Sequence, residues 1–175
     1  MVDPGRVTAG QKYFGRYLTF VTTGLAQSTL LMAGLIVYVG IEPAHPFLLF
    51  MAGWVSSLVF HLICYTLVLS LSNAGKAVGV LILVLQVSAA GGAYPLQLLP
   101  GWAQAISPWL PATYSIRAMR AAVFGTYGWD FWRALGSLVL FVLPFLFLGL
   151  WLRHRLHHAI DRMDKAVAQT QVMMT

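Results

Sequence analysis

The chain has 175 residues, 59% of them hydrophobic and 9% charged, with a mean hydropathy of +0.75. A soluble domain carries roughly 25% charged residues, so water is excluded as the solvent for most of this surface, and an all-α integral membrane protein of one domain is expected. A net charge of +6 would point a soluble chain toward nucleic acid. Here the basic residues stand at the ends of apolar runs, which makes the lipid bilayer the partner and excludes nucleic acid.

Residues 1–16 are polar and carry Arg6, Lys12 and Arg16. They lack the basic, apolar, small-residue order of a cleavable signal peptide and read as a cytoplasmic juxtamembrane segment. The first apolar run, 17–39, is long enough to cross ~30 Å of hydrocarbon as a helix. Thr22, Thr23, Gln27 and Ser28 interrupt its apolar character. Ile41 to His45 is a break. A second span covers 46–71, with Pro46 in the first turn, where proline is tolerated. Ser72-Asn73-Ala74-Gly75-Lys76 is expected to end it, with Gly75 as C-terminal cap.

The third span, 77–90, is short. Gly91-Gly92-Ala93-Tyr94-Pro95 breaks the helix, Pro100-Gly101 turns the chain, and Ala103 to Trp109 has room for two short turns before Pro111. Broken apolar backbone beside a span reads as a re-entrant hairpin, tolerated only where protein or water satisfies its polar groups. Thr113 to Phe124 reads as an amphipathic interfacial helix with Thr113 as N-cap. Ile116, Met119 and Val123 share one face and Arg117 and Arg120 another, and Gly125 ends it. The re-entrant and interfacial segment thus runs over 91–125. The fourth span, 131–152, contains Pro144 as an expected kink, and 153–175 forms a basic tail. The fold class is therefore about four transmembrane helices with a re-entrant hairpin and an interfacial helix before the last span.

Short loops rich in Lys and Arg stay in the cytoplasm. With four crossings, Arg6, Lys12, Arg16, Lys76, Arg153, Arg155, Arg162 and Lys165 fall on one side, and Arg117, Arg120 and Arg133 on the other. Both termini are accordingly expected in the cytoplasm of a multi-pass cell-membrane protein. Trp102, Trp109, Tyr114, Tyr127, Trp129 and Trp132 lie between the third and fourth spans, as residues of the outer interface would.

No phosphate-binding glycine loop followed by Lys-Ser or Lys-Thr is present, no Gly-x-Ser-x-Gly, and no carboxylate within the spans. An enzyme is not expected, nor a cofactor or metal. The single cysteine, Cys64, sits one helical turn from His61. The pair is either a metal or proton site or a polar contact inside the bundle with Ser57 below it, and two ligands rarely hold a metal. His154, His157 and His158 are a metal tract or an interfacial flank. Gln27, with Thr23 and Ser28, and Gln86 in the third span line a substrate path or hydrogen-bond between helices. Gly24 and Ser28 form a small-xxx-small pair suited to close helix contact. Arg117 and Arg120 are candidates for holding lipid phosphates or an anionic substrate, the alternative being surface anchoring. Gly91, Gly92, Pro95, Pro100 and Gly101 form either a gate or a static plug.

The stretch from Gly91-Gly92 through Tyr94-Pro95 and Leu99-Pro100-Gly101, then Ser107-Pro108, Pro111-Ala112-Thr113-Tyr114, Arg120 and Gly125, resembles the C-terminal membrane region of YhgE/Pip proteins. These belong to the broader ABC-2 type transporter membrane family. Gln27 and Asn73-x-Gly75-Lys76 also match family positions, and coverage runs from about Lys12 to Arg153. Family members usually have two further spans, and YhgE/Pip proteins a large external domain, so the chain looks like the C-terminal portion of one. Arg117 departs from the acidic or amide residue often found there. The resemblance implies the permease portion of an exporter for an amphiphilic or polymeric substrate, assembled as a homodimer or with another membrane chain and driven by a separate cytoplasmic ABC ATPase. By the same resemblance Lys12, Arg16 and Lys76 are coupling candidates. The alternative is a non-transporting scaffold or receptor, such as a phage-infection or secretion-accessory protein.

Overall fold

The computed structural model describes residues 9–147 apart from 93, with the side chains of 9–14, 16 and 69–75 outside the description. The tail from Arg153, with His154, His157 and His158, therefore lies outside the described residues, as do the side chains of Lys12 and Arg16. Among the described residues every regular element is helical: α1 (Ala9–Val37), α2 (Pro46–Ala89), α3 (Gly101–Ile106), α4 (Pro111–Phe124) and α5 (Asp130–Leu140). Three stretches are long and apolar enough to cross a bilayer: Tyr17–Val37, Pro46–Val68 and Asp130–Phe147. Only 17% of the residues in the first and last are buried within the protein. Side chains such as Leu30, Val37, Leu143 and Phe147 stand more than half exposed, so lipid or another membrane chain must cover them.

The first span ends at Val37, two residues short of the expected Val39. The amides of Tyr38 and Val39 both donate to the Gly34 carbonyl, and Gly40 takes φ +74°, a left-handed position that glycine adopts without a Cβ penalty.

The expected stop at Gly75 needs correction. α2 keeps helical backbone through 44 residues, with no intervening loop. It is nevertheless not a rod. The amides of Ala44 and His45, just before it, donate to the carbonyls of Val123 and Ala122 at 3.0 Å. Just after it, the Gly91 carbonyl accepts from Arg120 Nη2 at 2.7 Å. Two residues of α4 and one arginine side chain thus bridge the ends of α2, where a straight helix of that length would separate them by about 66 Å. Phe60 likewise lines one cleft with Leu83 and Gln86. The chain therefore doubles back between Phe60 and Leu83.

α2 ends at Ala89, and Gly91 takes φ +77° with the Leu96 side chain 2.7 Å from where a Cβ would stand. Glycine is required there by conformation and by space. A 3-10 turn (Leu96–Leu98), α3 and a second 3-10 turn (Ser107–Trp109) follow, so the two short turns before Pro111 form as expected. α4 begins at Pro111 with Leu110 as N-cap and no side-chain cap, so Thr113 is not the cap. Its hydroxyl is buried and donates to the Ser107 carbonyl at 2.7 Å, tying the helix to the turn before it. The buried positions of α4 are Pro111, Thr113, Ser115, Ala118 and Ala122; Ile116, Met119 and Val123 are partly buried, with Met119 and Val123 packed against the core. Small side chains allow close helix approach where apolar bulk has no advantage over lipid. Ala118 and Ala122 share a core with Leu49, Ala52 and Phe131, and Ser115 hydrogen-bonds Ser56 of α2. α4 is thereby packed between α2 and α5 rather than lying on the bundle's surface.

Gly125 caps α4 at φ +104°, as expected. α5 pauses at Phe141 before helical turns resume at 142–147. Pro144 has no amide hydrogen to donate to the carbonyl of Leu140, which accounts for the interruption. In the α4–α5 hairpin Tyr114 stacks obliquely on Phe141, ring centroids 5.8 Å apart.

Candidate functional site

The hairpin geometry decides which charges meet. With Tyr114 opposite Phe141 and a reversal at 125–129, residues near 120 on α4 face residues near 134 on α5. A cleft of about 510 Å³ opens along this seam. Its walls include Arg117 and Arg120 from α4, and Asp130, Arg133 and Ser137 from α5. Tyr127 stands in the connecting turn and Tyr114 at the far end. Three guanidinium groups against one carboxylate leave the cleft with a net charge of +2. Asp130 begins α5, where the helix N-terminus favours a negative charge. The Arg117 guanidinium carbon lies 5.7 Å from the Tyr114 ring centroid, within cation–π range.

Arg120 does a second job. Its Nη2 donates to the carbonyl of Gly91 at 2.7 Å and to that of Gly92 at 3.4 Å. The last carbonyls of a helix have no partner within it and carry its negative dipole end. The guanidinium stands just beyond that end, on the Gly91 and Gly92 carbonyls that follow the C-cap Ala90, and its positive charge suits the negative end of the helix. The break after α2 and the arginine-lined cleft are thus joined through one side chain. A smaller recess beside them is lined by Gly91, Leu96, Gln97, Thr113, Arg117 and Arg120.

The other sequence candidates are distributed over different places. Gly91 and Gly92 sit against α4. Pro95 and Pro100 precede the first 3-10 turn and α3, and Gly101 opens α3; all three are exposed. A Cβ at Gly101 would meet nothing, so glycine is not sterically required there. Gln104 Nε2 closes this turn by donating to the Leu99 carbonyl at 2.8 Å. Gln86 is buried and lines a cleft with Phe60, Ala112 and Ile116. Gln27 is exposed at the mouth of a recess between α1 and α2 that includes Ser28, Ser57 and His61. Phe60 borders both recesses, but the two glutamines do not share one. Lys76 is exposed in α2.

In the α1–α2 recess the His61 Nδ1 lies 2.8 Å from the Ser57 carbonyl. Gly24 allows this close approach: a Cβ there would stand 2.7 Å from the His61 ring and 2.8 Å from Ser57 Oγ. Gly24 and Ser28 thus lie at the tight α1–α2 contact, and Ser28 Oγ is buried without a partner among the described residues. Cys64 is exposed and is not among the lining residues of that recess. No group of three metal-binding side chains forms among the described residues.

Sequence reading passed over Arg133, Asp130 and Ser137 as site residues. The available signal was the turn Gly125–Gly128. A helix ending at one glycine and restarting after the other forms a hairpin whose pairing brings Arg133 opposite Arg120.

Residues 6–151 match the family model described as "ABC-2 family transporter protein". The chain is 34% identical over 128 residues to the "Uncharacterized protein YhgE" of Bacillus subtilis (strain 168). That alignment covers 73% of this chain and 16% of the relative, so the chain spans under a fifth of that protein's length. No solved structure matches.

Proposed function

The chain belongs to the ABC-2 family of transporter membrane proteins, and from that premise we propose that it is the permease portion of an exporter for an amphiphilic or polymeric substrate. The observation that carries the proposal is that the family match extends over residues 6–151, which include the apolar helices, the Gly91–Gly101 break and the α4–α5 hairpin. A permease-like role in the membrane belongs to the family. The finer reading is ours: residues 17–152 form the transmembrane domain and cross four times, both termini are cytoplasmic, and two such domains meet in a homodimer or with another membrane chain.

In this reading the cytoplasmic side carries Lys12, Arg16 and Lys76, which contact a separate ATPase. The opposite side carries the glycine break and Arg117 and Arg120, with Gln27 and Gln86 along the path between. Nucleotide binding draws the two permease domains together on the cytoplasmic side, and the broken limb of α2 opens the other end. The helix end at Ala89 and the left-handed Gly91 that follows it support this, because irregular backbone within a membrane is tolerated only where it is buried in protein or lines a cavity.

The test is purification of the complex from native membranes in a mild detergent. The proposal expects a co-purifying polypeptide with vanadate-sensitive ATP hydrolysis, and loss of that polypeptide when Lys12, Arg16 and Lys76 are replaced together by Gln. Recovery of the chain with neither nucleotidase nor nucleotide-dependent transport would overturn it in favour of a non-transporting scaffold.

A further inference from the structure

We propose that the α4–α5 cleft is a binding site for a phosphate ester, built by Arg117, Arg120 and Arg133, with Tyr127 and Ser137 supplying hydroxyls. The inference rests on the permease reading for its role in export and deepens it by naming the chemistry of what the cleft holds.

Four observations point to a phosphate. First, three of the four basic residues with described side chains line this one cleft, against one carboxylate. Such a concentration of like charge is unfavourable unless an anion offsets it. Second, guanidinium groups match phosphate oxygens with paired donors, which a lysine cannot do. Third, none of the three forms an ion pair among the described residues, and Arg120 uses a single nitrogen, Nη2, for its hydrogen bonds to Gly91 and Gly92. Fourth, the cleft's volume of about 510 Å³ is in the range of small-molecule sites, enough for a phosphate and the glycerol or sugar it esterifies. Exposed Tyr127 lines the cleft, and exposed Trp129 and Trp132 are sequence neighbours of its Asp130 and Arg133, side chains that favour the headgroup level of a bilayer. The ligand is therefore a phosphate carried at the membrane interface, either a phospholipid headgroup or the phosphate of an amphiphilic cargo.

The link from Arg120 to the Gly91 and Gly92 carbonyls gives the site a consequence. A phosphate drawn to the remaining donors of Arg120 fixes the side chain that holds the end of α2, so occupancy is felt at the break.

The experiment uses the full chain in neutral detergent micelles and follows binding by intrinsic tryptophan fluorescence and native mass spectrometry. The probes are dioctanoyl-phosphatidylglycerol, glycerol phosphate and dioctanoylglycerol, which has the same chains and no phosphate. Saturable binding of the phosphatidylglycerol, at least tenfold tighter than dioctanoylglycerol, is expected. R117Q and R133Q, both at exposed positions, each weaken it roughly fivefold, as loss of one arginine near a membrane surface does. Competition by glycerol phosphate assigns recognition to the free phosphate; its failure to compete, with phosphatidylglycerol still bound, assigns it to the lipid-borne headgroup. Equal binding of phosphatidylglycerol and dioctanoylglycerol, or unchanged affinity in both variants with wild-type unfolding temperatures, overturns the proposal. No nucleotide or transport step enters, so failure here leaves the permease reading standing, and failure of ATPase coupling leaves this site standing.

Discussion

Replacing Arg120 by methionine tests the joint between the broken span and the cleft. Methionine keeps much of the arginine's apolar stem and removes its donors. The Gly91 carbonyl, in a buried residue, then loses its 2.7 Å partner. A hydrogen bond to a charged donor contributes about 1.5–3 kcal/mol, and stranding a buried acceptor costs about 1–3 kcal/mol. Because Arg120 is itself exposed, water recovers part of this, and a net loss of about 1–2 kcal/mol follows. For a chain of this size that lowers Tm by roughly 2–8 °C. The local effect is sharper. The Ala90 amide donates to the Gln86 carbonyl at 3.1 Å in the last turn of α2, and its hydrogen exchange should accelerate about 5- to 30-fold. Arg120→Lys, which retains one reaching donor, should fall between. Arg117→Met, which loses only an exposed cation–π contact, should change Ala90 exchange little. Wild-type Tm and wild-type Ala90 exchange in Arg120→Met would refute the capping role.

Three further substitutions probe the helix contacts. Gly24→Val places branched bulk where even a Cβ stands 2.7 Å from the His61 ring; overpacking of about 1–3 kcal/mol should lower Tm, whereas Gly34→Val, with nothing within 4 Å, should not. Ser56→Ala or Ser115→Ala alone leaves one buried hydroxyl unpaired and should cost more than half of the double change, a coupling of about 0.6 kcal/mol readable from a double-mutant cycle in detergent. Gly125→Val forces a branched residue to φ +104° and should cost about 1–3 kcal/mol, measured as a lower Tm and, because the cleft's pairing depends on this turn, as weaker phosphatidylglycerol binding.

Much of this architecture was legible in the sequence, for reasons that can be traced. Apolar length marked out the helices that are long enough to cross a bilayer, Tyr17–Val37, Pro46–Val68 and Asp130–Phe147 among them. Gly91, Gly125 and Pro144 marked ends and a kink because left-handed φ and a missing amide hydrogen are properties of single residues. What failed were readings that needed tertiary contacts. Thr113 has the chemistry of an N-cap, but its hydroxyl reaches the Ser107 carbonyl instead. Apolar periodicity picked out Ile116, Met119 and Val123 as one face of α4, and that face is only partly buried. Against other apolar helices, closeness decides, and Ser115, Ala118 and Ala122 are buried. Arg117 and Arg120 stood out because they are neighbours on one helix face. Arg133 did not, because only the hairpin brings it to them.

The contact between Arg120 and the break after α2, and the proposed four crossings, depend on α2 doubling back. Spin labels at Phe47 and Tyr94, both exposed, flank its two ends, and pulsed electron–electron resonance in lipid nanodiscs reads their separation. The folded-back arrangement predicts a distance of roughly 20–35 Å, whereas a helix continuing straight from one end to the other would give about 65 Å or more and would contradict it.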